Sequence, residues 1–159
     1  MADAQKLRNA QAVFNTVCEM LDDKKWRYQK DTEKLKINCS ATGDDLPIDV
    51  RFSVDAERDL VMFLSSLNFS VPEDMRETMA KAVSMINYPM VAGSFDFNPA
   101  TGRLFFRLTC SYRDSLISKA VYEYMLLVSC GTVDEYNDKL LMIAKGNMSL
   151  EELKKVIDN

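Results

Sequence analysis

An α+β fold follows from three observations on this chain of 159 residues. Apolar and polar residues alternate in several short runs between residues 26 and 67 and again between 91 and 110. Apolar residues recur at helical spacing before, between and after those runs, and the connections within each group of strands are short. Short-looped consecutive strands pair antiparallel, so the order α-β-β-β-β-α-β-β-α predicts one twisted antiparallel sheet of about six strands with helices on one face.

The first element spans about Asp3 to Lys24, where Leu7, Ala10, Phe14, Val17 and Leu21 fall on one helical stripe widened by Val13 and Met20. In WRYQKDTEKLKINCS, Trp26 and Tyr28 share a side, Asp31 and Thr32 form a turn, and Leu35, Ile37 and Cys39 alternate with Lys34, Lys36 and Asn38, which reads as a hairpin. PIDVRFSVD is nearly perfect in period two, with Ile48, Val50, Phe52 and Val54 inward. DLVMFLSSL, residues 59–67, breaks that rule by being apolar on both faces. Either the strand is covered on both faces, or, with Leu60, Met62 and Leu64 on the core side, Val61 and Phe63 form a patch on the opposite face that a partner covers.

SVPEDMRETMAKAVSMIN begins with Ser70 in N-cap position, Pro72 in the first turn and Glu73 and Asp74 at the positive helix end. Met75, Met79, Ala82, Val83 and Ile86 form its stripe, and Asn87, Tyr88 and Pro89 end it. In VAGSFDFNPATGRLFFRLTC, Phe95 and Phe97 share a face, as do Leu104, Phe106, Leu108 and Cys110, while Gly102 closes the turn where a positive φ is tolerated. Phe105, Arg107 and Thr109 then occupy the outer face.

A long helical pattern runs from about Ser115 to Lys145 through Ile117, Ala120, Val121, Tyr124, Val128, Tyr136, Leu140 and Ile143. Gly131 offers a kink or break, because Thr132 and Glu135 would make a capping box for a new helix. A short tail helix over 149–157 has its own box in Ser149 and Glu152. Its narrow apolar face, Leu150, Leu153 and Val156, is a candidate for dimer or tail contact. The whole chain, 1–159, is expected to form a single domain whose core takes Phe14, Val17, Leu21, Ile37, Val50, Phe52, Leu64, Ile86, Phe95, Phe97, Phe106 and Leu108.

Composition narrows the function. The chain has no histidine, which removes Ser/His and Cys/His nucleophile pairs and the usual catalytic zinc sets. Cys18, Cys39, Cys110 and Cys130 are dispersed beside apolar residues, as reduced core thiols would be. The five glycines form no phosphate-binding loop. Asp44 and Asp45 read as a solvated turn, and Asp134 with Asp138 as an acidic helix surface. No catalytic residue, metal site or cofactor is expected. A polar start, no long apolar window and a net charge of −4 point to a soluble, cytoplasmic protein without membrane attachment. The stretch from Lys24 to Lys36, in which Lys and Arg interleave with Trp26 and Tyr28, is the one place that could stack single-stranded nucleic acid; Asp31 and Glu33 within it make a solvated strand the favoured reading.

Val71 and Pro72 opening a helix, Asn87 ending it, Gly93 with Phe95, Gly102, and Phe105 with Phe106 together resemble the YbjN family of bacterial proteins, also labelled sensory transduction regulators. Asp134 and Tyr136 resemble a further family feature. The resemblance covers roughly the last two thirds of the chain. It implies a fold similar to type III secretion chaperones, small acidic proteins that commonly dimerise and hold partner polypeptides, and it brings no catalytic residues. The resulting expectation is a non-enzymatic, homodimeric, protein-binding adaptor or chaperone-like module, regulatory in role, that binds a protein or peptide through Val61, Phe63, Phe105 and Arg107. Its narrower form is a type III secretion-type chaperone for one partner.

Overall fold

The alternation of Ile48, Val50, Phe52 and Val54 organises the sheet, because burying that row requires strands on both sides of it. In the computed structural model, which describes residues 3–115 and 117–159, this strand is β3, Pro47–Asp55. It pairs antiparallel with β2, Lys36–Thr42, and with β4, Leu60–Ser70. A three-residue β1, Gln29–Asp31, borders β2, while β6, Arg103–Ser111, and β5, Ser94–Asn98, extend the other side. The order across the six-stranded antiparallel sheet is β1-β2-β3-β4-β6-β5. The register sets Ile37, Phe52, Phe63 and Leu108 in one row, and Phe52 meets Phe63 edge to face with ring centres 5.4 Å apart.

Helix α1, Ala4–Asp23, starts at Asp3, whose carboxylate accepts from the Lys6 N–H at 2.8 Å. Its stripe is buried from Ala10 to Leu21, although Leu7, the first predicted member, is 53% exposed. Helix α2, Arg76–Asn87, follows a 3-10 turn at Glu73–Met75. Ser70 is not the N-cap: it is the last residue of β4, paired with Arg103, and its hydroxyl donates to the Thr101 carbonyl. Helix α3, Lys119–Ala144, runs unbroken through Gly131, so the predicted second start at Thr132 is not used. Packing against α1, α2 and the sheet on both sides of Gly131 outweighs the local break signal. The predicted first turn of this helix included Leu116, which lies outside the described residues.

The start of α3 is also rotated relative to its predicted stripe. Tyr122, Met125, Leu126 and Ser129 face inward, while Val121, Tyr124 and Leu127 are exposed. Helix α4, Leu150–Ile157, has the predicted capping box, with Ser149 Oγ accepting from the Glu152 N–H and the Glu152 carboxylate accepting from the Ser149 N–H. It folds back onto α2, so Leu153 is fully buried within its own chain and Leu150 packs beside it. Leu153 is thereby spent on intramolecular packing and is no surface for a second copy.

All four helices contribute to one core on one face of the sheet. Phe106, at its centre, makes edge contacts with Phe63 and Phe95. Of the predicted core, Phe97 and Leu108 lie on the core side but are partly covered, and Leu64 is on the opposite face. Among the described residues, no helix is long and apolar enough to cross a membrane.

Candidate functional site

The sheet face turned away from the helices is the surface on which the sequence pattern places the expected partner-binding residues. Strand β4 has apolar side chains on both faces, so the strand alone leaves its orientation open, and the register with its neighbours decides it. Phe63 stands opposite Phe52 and Leu108, and Val61 opposite Val54 and Cys110, so both point under the helices and are 0% exposed. The expectation that Val61 and Phe63 form the free patch is therefore corrected. Turning them outward would shift every core row of β4 to the solvent face. Leu60, Met62 and Leu64, half-buried, take the outer positions instead.

Phe105 and Arg107 do lie on this face, where the alternation of β6 put them. Leu64 stands between Arg51 and Arg107, and Phe105 between Ser66 and Asp96. Arg107 pairs with Asp96 at 2.7 Å, and the Arg51 Nε donates to Asn38 Oδ1 at 3.0 Å. The result is an apolar strip, Leu60, Met62, Leu64 and Phe105, with guanidinium groups held along its side. It can cover an apolar segment of another chain while offering charged hydrogen bonds at its rim.

The outer edge of β5 is closed by a residue that the sequence showed only as a helix terminator. Asn87 accepts from the Phe95 N–H through Oδ1 at 2.9 Å and donates to the Phe95 carbonyl through Nδ2 at 2.8 Å. One side chain thus imitates a neighbouring strand at Phe95, the second residue of β5. Gly102 answers to its predicted role with φ +73, and a Cβ there would lie 2.4 Å from the Val71 carbonyl oxygen. Asp134 fastens the β2–β3 loop to α3 by accepting from the Asp44 N–H at 2.8 Å, which accounts for that carboxylate without a metal.

The thiols are poor nucleophiles. Burial pushes Cys39 up to about 11 and Cys130 up to about 12, and it raises Cys18 and Cys110 as well. Among the described residues, no three His, Cys, Asp or Glu side chains are grouped so as to hold a metal ion. In the 24–36 stretch, Trp26 and Tyr28 pack against the core, the Tyr28 hydroxyl bonds Asp22 at 2.9 Å, and Lys24 pairs with Glu123. Those rings are not free platforms for bases. The signal missed in the sequence is polar and buried: Ser65 and Ser129 sit within apolar runs, Asn137 lies between Val133 and Leu140 on the inward stripe of α3, and all three are at most 3% exposed.

The architecture is that of an α+β chaperone-like fold, a six-stranded antiparallel sheet with helices on one side. Among solved structures it is similar to YbjN, a candidate transcription regulator from E. coli, with a TM-score of 0.57 at 12% identity, covering 84% of this chain and 90% of that one. It is also similar to a chain of the ExsC–ExsE complex, with a TM-score of 0.59 at 15% identity over 81% of this chain and 93% of that one. A chain of the HopA1–SchA chaperone–effector complex matches with a TM-score of 0.51 at 10% identity, over 92% of this chain and 97% of that one. No family model and no curated relative matches the sequence. At these identities the likeness is one of fold.

Proposed function

We propose that this chain is a non-enzymatic, protein-binding adaptor of the chaperone-like kind, acting as a homodimer and holding a polypeptide segment of a partner on its open sheet face. The observation that carries this reading is the strip of Leu60, Met62, Leu64 and Phe105 on the face turned away from the helices, flanked by Arg51 and Arg107. An apolar strip with a charged rim suits a segment that alternates apolar and acidic residues. The narrower reading, a type III secretion chaperone for one partner, draws only on the fold likeness to the chaperone–effector complex.

The test is a paired substitution, Met62→Ser with Leu64→Ser. Both side chains are outside the core but half-buried, so stability should fall by about 1–3 kcal/mol, and a cooperative melt shows that the variant is folded. The unmodified chain should cross-link reproducibly to one partner through this face, and the double variant should lose that partner. An identical cross-linking pattern for both proteins would overturn the site. The dimer is tested by light scattering, which should give twice 18.1 kDa; a mass of one chain at micromolar concentration would refute it.

A further inference from the structure

The outer side of α3 carries an apolar stripe left exposed. Tyr122, Met125, Leu126 and Ser129 turn into the core, yet the opposite side of the same turns is apolar too: Ala120, Val121, Tyr124 and Leu127 are exposed and Val128 is half-buried. Tyr124 and Leu127 show 54% and 57% of their surface to solvent. A helix that is apolar all round belongs in an interior. The charges along one border of the stripe are already engaged. Lys24 pairs with Glu123, and Lys119 pairs with Asp23 at 2.9 Å and with Glu19 at 3.4 Å, which ties the end of α1 to the start of α3.

Two further features lie on the same stripe. Gly131 is exposed in the interior of the helix, and a Cβ added there would meet no atom within 4 Å. Gly is less favourable than Ala in a helix interior, so the chain forgoes stability at a position with open space, and the close approach of a second backbone accounts for that. The other feature is electrostatic. At its N-terminus, α3 has no side-chain cap from Ser118 and no acidic residue in its first turn, so the positive end of the helix is uncompensated there. Beyond Gly131, at the far end of the stripe, stands the exposed carboxylate of Glu135.

We propose that two copies of this chain pair through α3, antiparallel about a two-fold axis between Leu127 and Val128; this deepens the dimer part of the reading above and rests on it. One register satisfies every feature. Tyr124 of each copy then lies over Gly131 of the other, and Glu135 of each faces the first turn of the other at Ala120. The ring fills the notch, and the carboxylate meets the positive helix end. A shallow crossing of about 20° keeps the two helices in contact over that length. A partner of unrelated sequence would require no such symmetry. Here the knob and the notch, and the anion and the helix end, lie at equal distances on either side of one point, as a self-complementary surface requires.

The test is sedimentation equilibrium of the full chain from nanomolar to high micromolar concentration, where the unmodified protein should approach twice 18.1 kDa. Gly131→Leu meets open space within its own chain and raises helix propensity, so it should keep a cooperative melt while the dimer dissociation constant rises by at least about tenfold. Tyr124→Ser should weaken the dimer by at least about tenfold as well. Glu135→Gln removes two symmetric helix-end contacts and should weaken it by about three- to thirtyfold, less as salt is raised. Met62→Ser with Leu64→Ser, on the sheet face, should leave the dimer unchanged. A dimer whose dissociation constant is unmoved by Gly131→Leu would overturn this interface and leave the dimer itself standing. A mass of one chain throughout the range would overturn both.

Discussion

Replacing Asn87 with Ala removes the two hydrogen bonds by which one side chain closes the outer edge of β5, and the consequence can be worked from the geometry. The bonds, 2.9 Å to the Phe95 N–H and 2.8 Å to the Phe95 carbonyl, are made next to a residue that is 1% exposed. Each bond contributes about 0.5–1.5 kcal/mol net, so Asn87→Ala should cost about 1–3 kcal/mol, the upper end applying if water cannot reach the Phe95 backbone. For a chain of this size that lowers the melting temperature by about 2–4 °C per kcal/mol. Asn87→Asp discriminates further. Its carboxylate can still accept from the Phe95 N–H but faces the carbonyl oxygen without a donor, so it should be no more stable than Asn87→Ala despite its closer shape. Urea unfolding at neutral pH, with an unchanged denaturant slope, measures both. An Asn87→Ala cost within about 0.5 kcal/mol of zero, the range of ordinary surface substitutions, would refute the edge-closing role.

Phe106→Ala should cost about 3–5 kcal/mol in the same assay, because the ring is 0% exposed and braced by Phe63 and Phe95; an unchanged melt would place it outside the core. Gly102→Ala should cost more than about 1 kcal/mol, since φ is +73 and the new Cβ would meet the Val71 carbonyl at 2.4 Å; a neutral substitution would mean that the turn relaxes freely. Alkaline pH should destabilise the fold. Cys39 is raised from 9.0 to about 11, Cys130 from 9.0 to about 12 and Tyr112 from 10.0 to about 12, all chiefly by burial. The unfolded chain ionises these groups first, so their contribution is complete below about pH 8.5 and is lost as pH rises toward the folded values. Melting temperature should therefore fall steadily above about pH 9, and a flat profile to about pH 11 would contradict the burial of these groups.

What was legible in the sequence was local. Period two in β3 fixed its faces because only one of them is apolar, and Ile48, Val50, Phe52 and Val54 are buried as that pattern predicts. The Ser149–Glu152 box and the positive φ of Gly102 were likewise readable, since each depends on a few adjacent residues. The fold order, and the outward placement of Phe105 and Arg107, rest on the same kind of signal. Where apolar residues occupy every side, the pattern carries no phase: β4 could have buried Leu60, Met62 and Leu64 or Val61 and Phe63, and the start of α3 could have turned Val121 and Tyr124 inward. Only pairing with β3 and β6, and packing among α1, α2 and the sheet, chose between those alternatives. The docking of α4 on α2, the clasp of Asn87 on Phe95 and the hold of Asp134 on the Asp44 N–H were decided by the tertiary structure for the same reason. Each joins residues from separate elements, and the free energy that selects such a contact exists only once both elements are in place.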